Sequence, residues 1–225
     1  MWKTLNFLNH LSGLLGAELL GEYLKEINWD LCYSSDLFRA INTANILLSK
    51  ASDPSKNKNL EQTPLIREKN FGVKENLPKD VSVLEATKIV AQKLGIDVSE
   101  VIDTTESPDH IFLRQKKFLS ILSESLRFEV ESGLNENKLT EHNILCVTHG
   151  HFIQRFFSNL QNDNYNLGEL KSQQIGKIPK FDNCSVSLLH LKWRDLNHFI
   201  SSCNSPDIFI DSNGVFNYTG YLVQE

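Results

Sequence analysis

Leu31-Cys32-Tyr33-Ser34-Ser35-Asp36-Leu37-Phe38-Arg39-Ala40 compresses a strand, a tight turn and a helix start into one run, and the rest of the chain is read outward from it. Leu31 to Tyr33 is short and apolar, as a strand requires. Ser34-Ser35-Asp36 offers side-chain oxygens that accept from the unpaired N–H groups of a helix start, and Leu37, Ile41, Ala44, Leu47 and Leu48 then recur at helical spacing. A second run has the same grammar. Ile144 to Thr148 is β-prone and apolar, as in a strand covered on both faces, and His149-Gly150-His151 leads into helical spacing from Phe152 to Leu160.

Between and around these runs, helices and strands continue to alternate. From Gly16 to Ile27, Leu20, Leu24 and Ile27 line one face beside Tyr23, while Glu18, Glu22, Lys25 and Glu26 take the other. Val83 to Leu94 reads as a helix, and Ser107-Pro108 starts a longer one that runs to about Glu131. Lys50 to Pro64 and Asn135 to Asn143 are polar and read as exposed loops, while Val186 to Leu191, Ile208 to Ile210 and Val215 to Leu222 read as strands. No segment repeats. The alternation implies an α/β fold, a doubly wound, mostly parallel sheet with helices on both faces, whose ligand site lies at the carboxyl ends of the strands.

The 225 residues are 40% apolar and 23% charged, enough for one large core and too apolar for a chain disordered throughout. Residues 1–225 are therefore read as one domain. A net charge of −5 argues against a surface given over to nucleic acid or anionic membrane, so an anionic ligand must be met locally. Cys32, Cys146, Cys184 and Cys203 are scattered without CxxC or metal-ligand spacing, which implies reduced thiols and no metal site; no cofactor is expected. Leu5 to Leu20 is leucine-rich, but Asn6, Asn9, His10 and Glu18 interrupt it and no A-x-A-like site follows, so a cytoplasmic address is the plain reading. Oligomeric state is not legible.

Three segments hold candidate chemistry. Arg39 lies in the first turn of its helix, where the macrodipole disfavours a cation unless an anion binds there too; the alternative is a solvated arginine paired with Asp36. His149 sits at a strand end before Gly150, whose backbone can approach a ligand closely; a structural histidine is the alternative. Ile66-Arg67-Glu68-Lys69-Asn70-Phe71-Gly72 places an acid among bases, and a carboxyl in a partly apolar cleft can donate a proton to a leaving oxygen. A surface ion-pair cluster is the bland alternative there.

Taken together, the segments resemble the histidine phosphatase, or phosphoglycerate-mutase-like, superfamily. Leu11-Ser12 through Leu24 is similar to its "PLS..G..QA..L..YL" helix, Tyr33 to Leu48 to "SSDL.RA..TA..L", and Ile66 to Gly72 to "L.E..FG". Val147 to Gly150 is similar to "VSHG", and Asn183-Cys184-Ser185-Val186 to "N.S..". Within the superfamily, Arg67 to Val73 and the helix after His149 look most like the fructose-2,6-bisphosphatase TIGAR group. The resemblance implies a phosphatase of small phosphorylated metabolites that works through a phosphohistidine. Glu68 would be the acid/base, His149 would stabilise charge on the transferring group, and Arg39 with Gly150 would bind the substrate phosphate. Lys69, Lys74 and Arg114 are candidates for a second phosphate site.

The family's Arg-His-Gly motif, which ends its first strand and supplies the nucleophile, is absent from these residues. Trp2 to Leu8 is a candidate substitute strand. Without one, the neighbours of the lost strand are expected to show unpaired edges. The chain is therefore read as N-terminally truncated and impaired, through an incomplete gene model or a splice form. The alternative is a folded pseudophosphatase that binds phosphoanions or partners without turnover.

Overall fold

A computed structural model describes residues 2–53, 59–78, 80–132, 142–161, 184, 190–191 and 208–209. The elements run α1 (Trp2–Leu24), β1 (Leu31–Ser35), α2 (Phe38–Ser49), β2 (Leu60–Thr63), α3 (Val83–Leu94), α4 (Pro108–Ser132), β3 (Ile144–Val147), α5 (Gly150–Gln161), β4 (His190–Leu191) and β5 (Ile208–Phe209). Single 3₁₀ turns occupy Pro64–Ile66, Gly72–Lys74 and Val98–Glu100. The first three strands form a parallel sheet in the order β2-β1-β3, and β4 pairs antiparallel with β5.

Alternation along β1 divides the core between the two faces of that sheet. Leu31 and Tyr33 face α4 and α5, packing with Ile66, Phe118, Leu122, Leu126 and Phe152. Cys32 faces the other way, with Leu47 of α2, Leu145 of β3 and Leu20 of α1. Tyr33 is anchored twice: its ring meets Phe118 edge-on at 5.4 Å, and its hydroxyl pairs with Ser125 Oγ at 3.0 Å. Buried Gln115 ties α4 to α5 by donating to the Phe152 carbonyl at 3.2 Å and accepting from Asn159 at 2.9 Å. On the opposite face α1 lies tight on α2. A Cβ at Gly21 would come within 2.7 Å of Lys50 Cγ.

The local readings hold for α3 and, within one residue, for α4; others need correction. Trp2 to Leu8 is helical, so it provides no substitute strand, and α1 begins well before Gly16. The reading of a missing first strand fits the sheet: among the described residues β3 has no strand partner on its outer edge, and β4 and β5 pair only with each other. Part of the expected loop is β2, where Leu60 to Thr63 pair with Cys32 to Ser35. β3 is not covered along its whole length: Leu145 is buried but Cys146 is exposed. The strand readings at 186–189 and 215–222, the Asn183 and Ser185 positions, and most of the loop at 135–143 lie outside the described residues.

Candidate functional site

β1 and β3 end side by side, with Ser34 opposite Val147, and each feeds a helix at the same edge of the sheet. α2 and α5 therefore point their first-turn N–H groups, and the positive ends of their dipoles, toward one place. β1 runs through Ser35, so the serines do not cap the helix. Leu37 is the N-cap, without a side-chain bond of its own, and its N–H donates to Ser35 Oγ at 3.3 Å.

Arg39, in the first turn of α2, donates from Nε to His149 Nδ1 at 3.3 Å. Its side chain is exposed, and no carboxylate of the described residues lies within ion-pair distance of it. The alternative for Arg39, a pair with Asp36, does not form: Arg67 donates Nε and Nη2 to the two Asp36 carboxylate oxygens, each at 2.5 Å. Those bonds hold the Asp36 carboxyl below its ordinary range. His149 is buried, and its Nε2 pairs with Ser35 Oγ at 2.8 Å. Burial, then the charges of Arg39 and Arg114, push its pKa down to about 4, so the ring is neutral near pH 7.

Glu68 follows β2 by way of the Pro64–Ile66 turn. Thr63 opens that turn by accepting from Leu65 N–H, and Thr148 Oγ1 closes it onto β3 by donating to the Ile66 carbonyl at 2.6 Å. The half-buried Glu68 accepts from Lys69 N–H at 3.0 Å. Its charge acts on His151, which meets Phe71 edge-on at 5.8 Å. Gly150 is exposed at the start of α5, between the two histidines.

Arg114 links these parts but is not a spare cation. It donates to Glu106 Oε1 at 2.6 Å and Oε2 at 3.0 Å, to the Leu65 carbonyl at 2.8 Å and to the Glu68 carbonyl at 3.4 Å. Its guanidinium also lies over the Phe152 ring, 5.1 Å from the centroid. Lys69 is similarly placed over Phe71, at 5.5 Å.

The segment after Glu68 is laced to residues 103–106. Val73 N–H and Thr105 N–H both donate to Asp103 Oδ1, Thr105 Oγ1 donates to the Phe71 carbonyl, and Glu106 N–H donates to the Asn70 carbonyl. Gly72 sits inside this lacing at φ +56°, and a Cβ there would come within 2.1 Å of Asp103 Oδ1. Neither the backbone angle nor the space admits a side chain.

A strand-end histidine thus stands beside an arginine, both at helix starts on one edge of the sheet. The histidine phosphatase superfamily (branch 1) matches residues 10–198. The chain belongs to that superfamily. Among curated proteins, this histidine phosphatase chain is 32% identical over 120 residues to fructose-2,6-bisphosphatase TIGAR B of Danio rerio. That match covers 53% of this chain and 44% of the relative, so the chain aligns with less than half of the relative's length. Among solved structures, "Mycobacterial hydrolase 1" superposes with a TM-score of 0.56 at 20% identity, covering 92% of this chain and 84% of that one. A mycobacterial glucosyl-3-phosphoglycerate phosphatase gives 0.52 at 20% identity, covering 92% and 85%. These likenesses show the phosphoglycerate-mutase-like fold.

Within this histidine phosphatase fold, four features of the site were not read from the sequence. Ser35 reads as a helix cap and is the partner of His149; the alternative reading of Arg39 pairs it with Asp36, which belongs to Arg67. His151 was passed over, and the Glu106–Arg114 pair brings together groups eight positions apart. The signal for the last was a basic residue in the second turn of α4 facing an acid just before it. No described group of three or more His, Cys, Asp or Glu residues forms a metal-holding cluster, and no described helix is long and apolar enough to cross a membrane.

Proposed function

We propose that the site at the Arg39–His149 edge of the sheet binds the phosphoryl group of a small phosphorylated metabolite, of the fructose-2,6-bisphosphate or bisphosphoglycerate type. The observation that carries the reading is Arg39: a guanidinium at a helix start, beside His149, with no described carboxylate against it. A dianion would satisfy its charge, the two helix starts and the exposed Gly150 N–H together. In this reading Arg39 and Gly150 bind phosphate, His149 stabilises charge on the transferring group, and Glu68 exchanges the proton with the leaving oxygen.

Turnover by these 225 residues is expected to be impaired, since they contain no Arg-His-Gly triplet. His149 is a poor substitute nucleophile, because both ring nitrogens are engaged in the site. The same engagement favours the second reading, a phosphoanion-binding pseudophosphatase. Phosphate release from fructose-2,6-bisphosphate and 2,3-bisphosphoglycerate, with trapping of acid-labile phosphohistidine, tests this. Little hydrolysis and no trapped phosphohistidine are expected. Efficient hydrolysis would overturn the impairment, and acid-labile phosphate trapped on His149 itself would make it the nucleophile.

A further inference from the structure

Two partners bracket the His149 imidazole. A guanidinium nitrogen can only donate, so Arg39 Nε at 3.3 Å makes Nδ1 the acceptor. The neutral ring then carries its proton on Nε2 and donates it to Ser35 Oγ at 2.8 Å. Ser35 is fully buried at the end of β1, and its Oγ also accepts from Leu37 N–H at 3.3 Å. The charged groups acting on the ring are Arg39 of α2, Arg114 of α4 and Asp36 of the β1–α2 turn.

This tautomer suits Arg39 and does not suit an anion. A phosphoryl oxygen that takes over the Arg39 guanidinium would meet a lone pair on Nδ1. A neutral ring offers a donor at Nδ1 only when Nε2 becomes an acceptor, and Nε2 is buried against Ser35. A hydroxyl is the partner that allows this, since it can turn from accepting to donating with its oxygen in place and still accept from Leu37 N–H.

We propose that Ser35 is a positioning residue that holds His149 as the Nε2–H tautomer while Arg39 occupies Nδ1, and inverts it to the Nδ1–H tautomer when an anion engages Arg39. The inversion leaves the ring's charge unchanged. Nε2 gives up one proton to solvent, Nδ1 takes one from solvent, and the Ser35 hydroxyl reorients toward Nε2. The proposal rests on the anion-binding reading of the site.

The test is ¹⁵N-histidine NMR on the full chain near neutral pH, titrated with inorganic phosphate, for the wild type, Ser35→Ala and Ser35→Thr. Wild-type His149 should read as Nε2–H alone and as Nδ1–H at saturating phosphate. Ser35→Ala should weaken phosphate binding about tenfold, the scale of one neutral buried hydrogen bond. Its ligand-free His149 should also lose the strict Nε2–H preference, because Ser35 Oγ no longer faces Nε2 as an acceptor. Ser35→Thr keeps the hydroxyl and should restore the inversion. A purely structural Ser35 would alter stability and leave the tautomer where it is. Phosphate binding that depends on Arg39 but leaves wild-type His149 as Nε2–H, or turns it into imidazolium, overturns the Ser35 proposal alone. No phosphate binding at all overturns the anion reading and the inversion with it.

Discussion

Arg114→Ala should be the most damaging single truncation near the site, and the structure says by how much. Arg114 and Glu106 are nearly excluded from water, with side-chain exposures of 11% and 8%. Burial pushes the Glu106 carboxyl upward, but the bonds and charge of Arg114, with the Asn70 N–H, outweigh it and keep the group ionised below its ordinary range. Removing Arg114 leaves that carboxylate buried without its cation, which costs about 3 to 5 kcal/mol. The carbonyls of Leu65 and Glu68 lose their donors as well. For a chain of this length about 1 kcal/mol corresponds to some 2 to 4 °C, so Tm should fall by roughly 6 to 20 °C. Arg114→Lys restores the charge but not the two-pronged bond to Glu106 or the simultaneous reach to both carbonyls, and should recover less than about half of the loss. Urea denaturation followed by circular dichroism gives the free energies. A loss below about 1 kcal/mol for Arg114→Ala, or full rescue by lysine, would refute the view that this pair holds the Glu68 segment against α4.

Two further outcomes follow from the same geometry. Gly72→Ala forces a side chain into φ +56° and against Asp103; it should destabilise by about 1 to 3 kcal/mol and weaken ligand binding through the Glu68–Gly72 segment, read by thermal denaturation and phosphate titration. His149 has a folded pKa of about 4 against an ordinary 6.5. Below about pH 6.5 the unfolded chain binds a proton that the folded one refuses, so stability is complete above that pH and falls by up to about 3 kcal/mol on the way to pH 4. His149→Gln should flatten that slope in urea titrations at stepped pH, and an unchanged slope would assign it to another group.

The parts of the fold legible in the sequence are those that local chemistry decides. α3 carries its own boundaries: Ser82 and Glu85 bond reciprocally at its start, and Gly95 ends it at φ +69°. β2 was hidden because Leu60-Glu61-Gln62-Thr63 has the side chains of a loop and becomes a strand by pairing with β1. The beginning of α1 was obscured because Leu5 to Leu20 carries no cap and no clean apolar stripe to mark where helix starts. In the site, Arg39, Glu68, His149 and Gly150 stood out because each falls at a strand-to-helix or strand-to-turn junction. Their partners did not. Whether Asp36 pairs with Arg39 or Arg67 depends on where the turn after β2 lies, and the Ser35–His149 contact spans 114 positions.

The most direct measurement is calorimetric titration of the full chain with inorganic phosphate or vanadate, wild type against Arg39→Ala. A charge-assisted hydrogen bond contributes about 1.5 to 3 kcal/mol, so removing the guanidinium should weaken binding by roughly ten- to a hundredfold. Weak wild-type affinity that is lost with Arg39 is the expected result. Micromolar binding that is insensitive to Arg39→Ala would place the anion site elsewhere and contradict its assignment to this edge of the sheet.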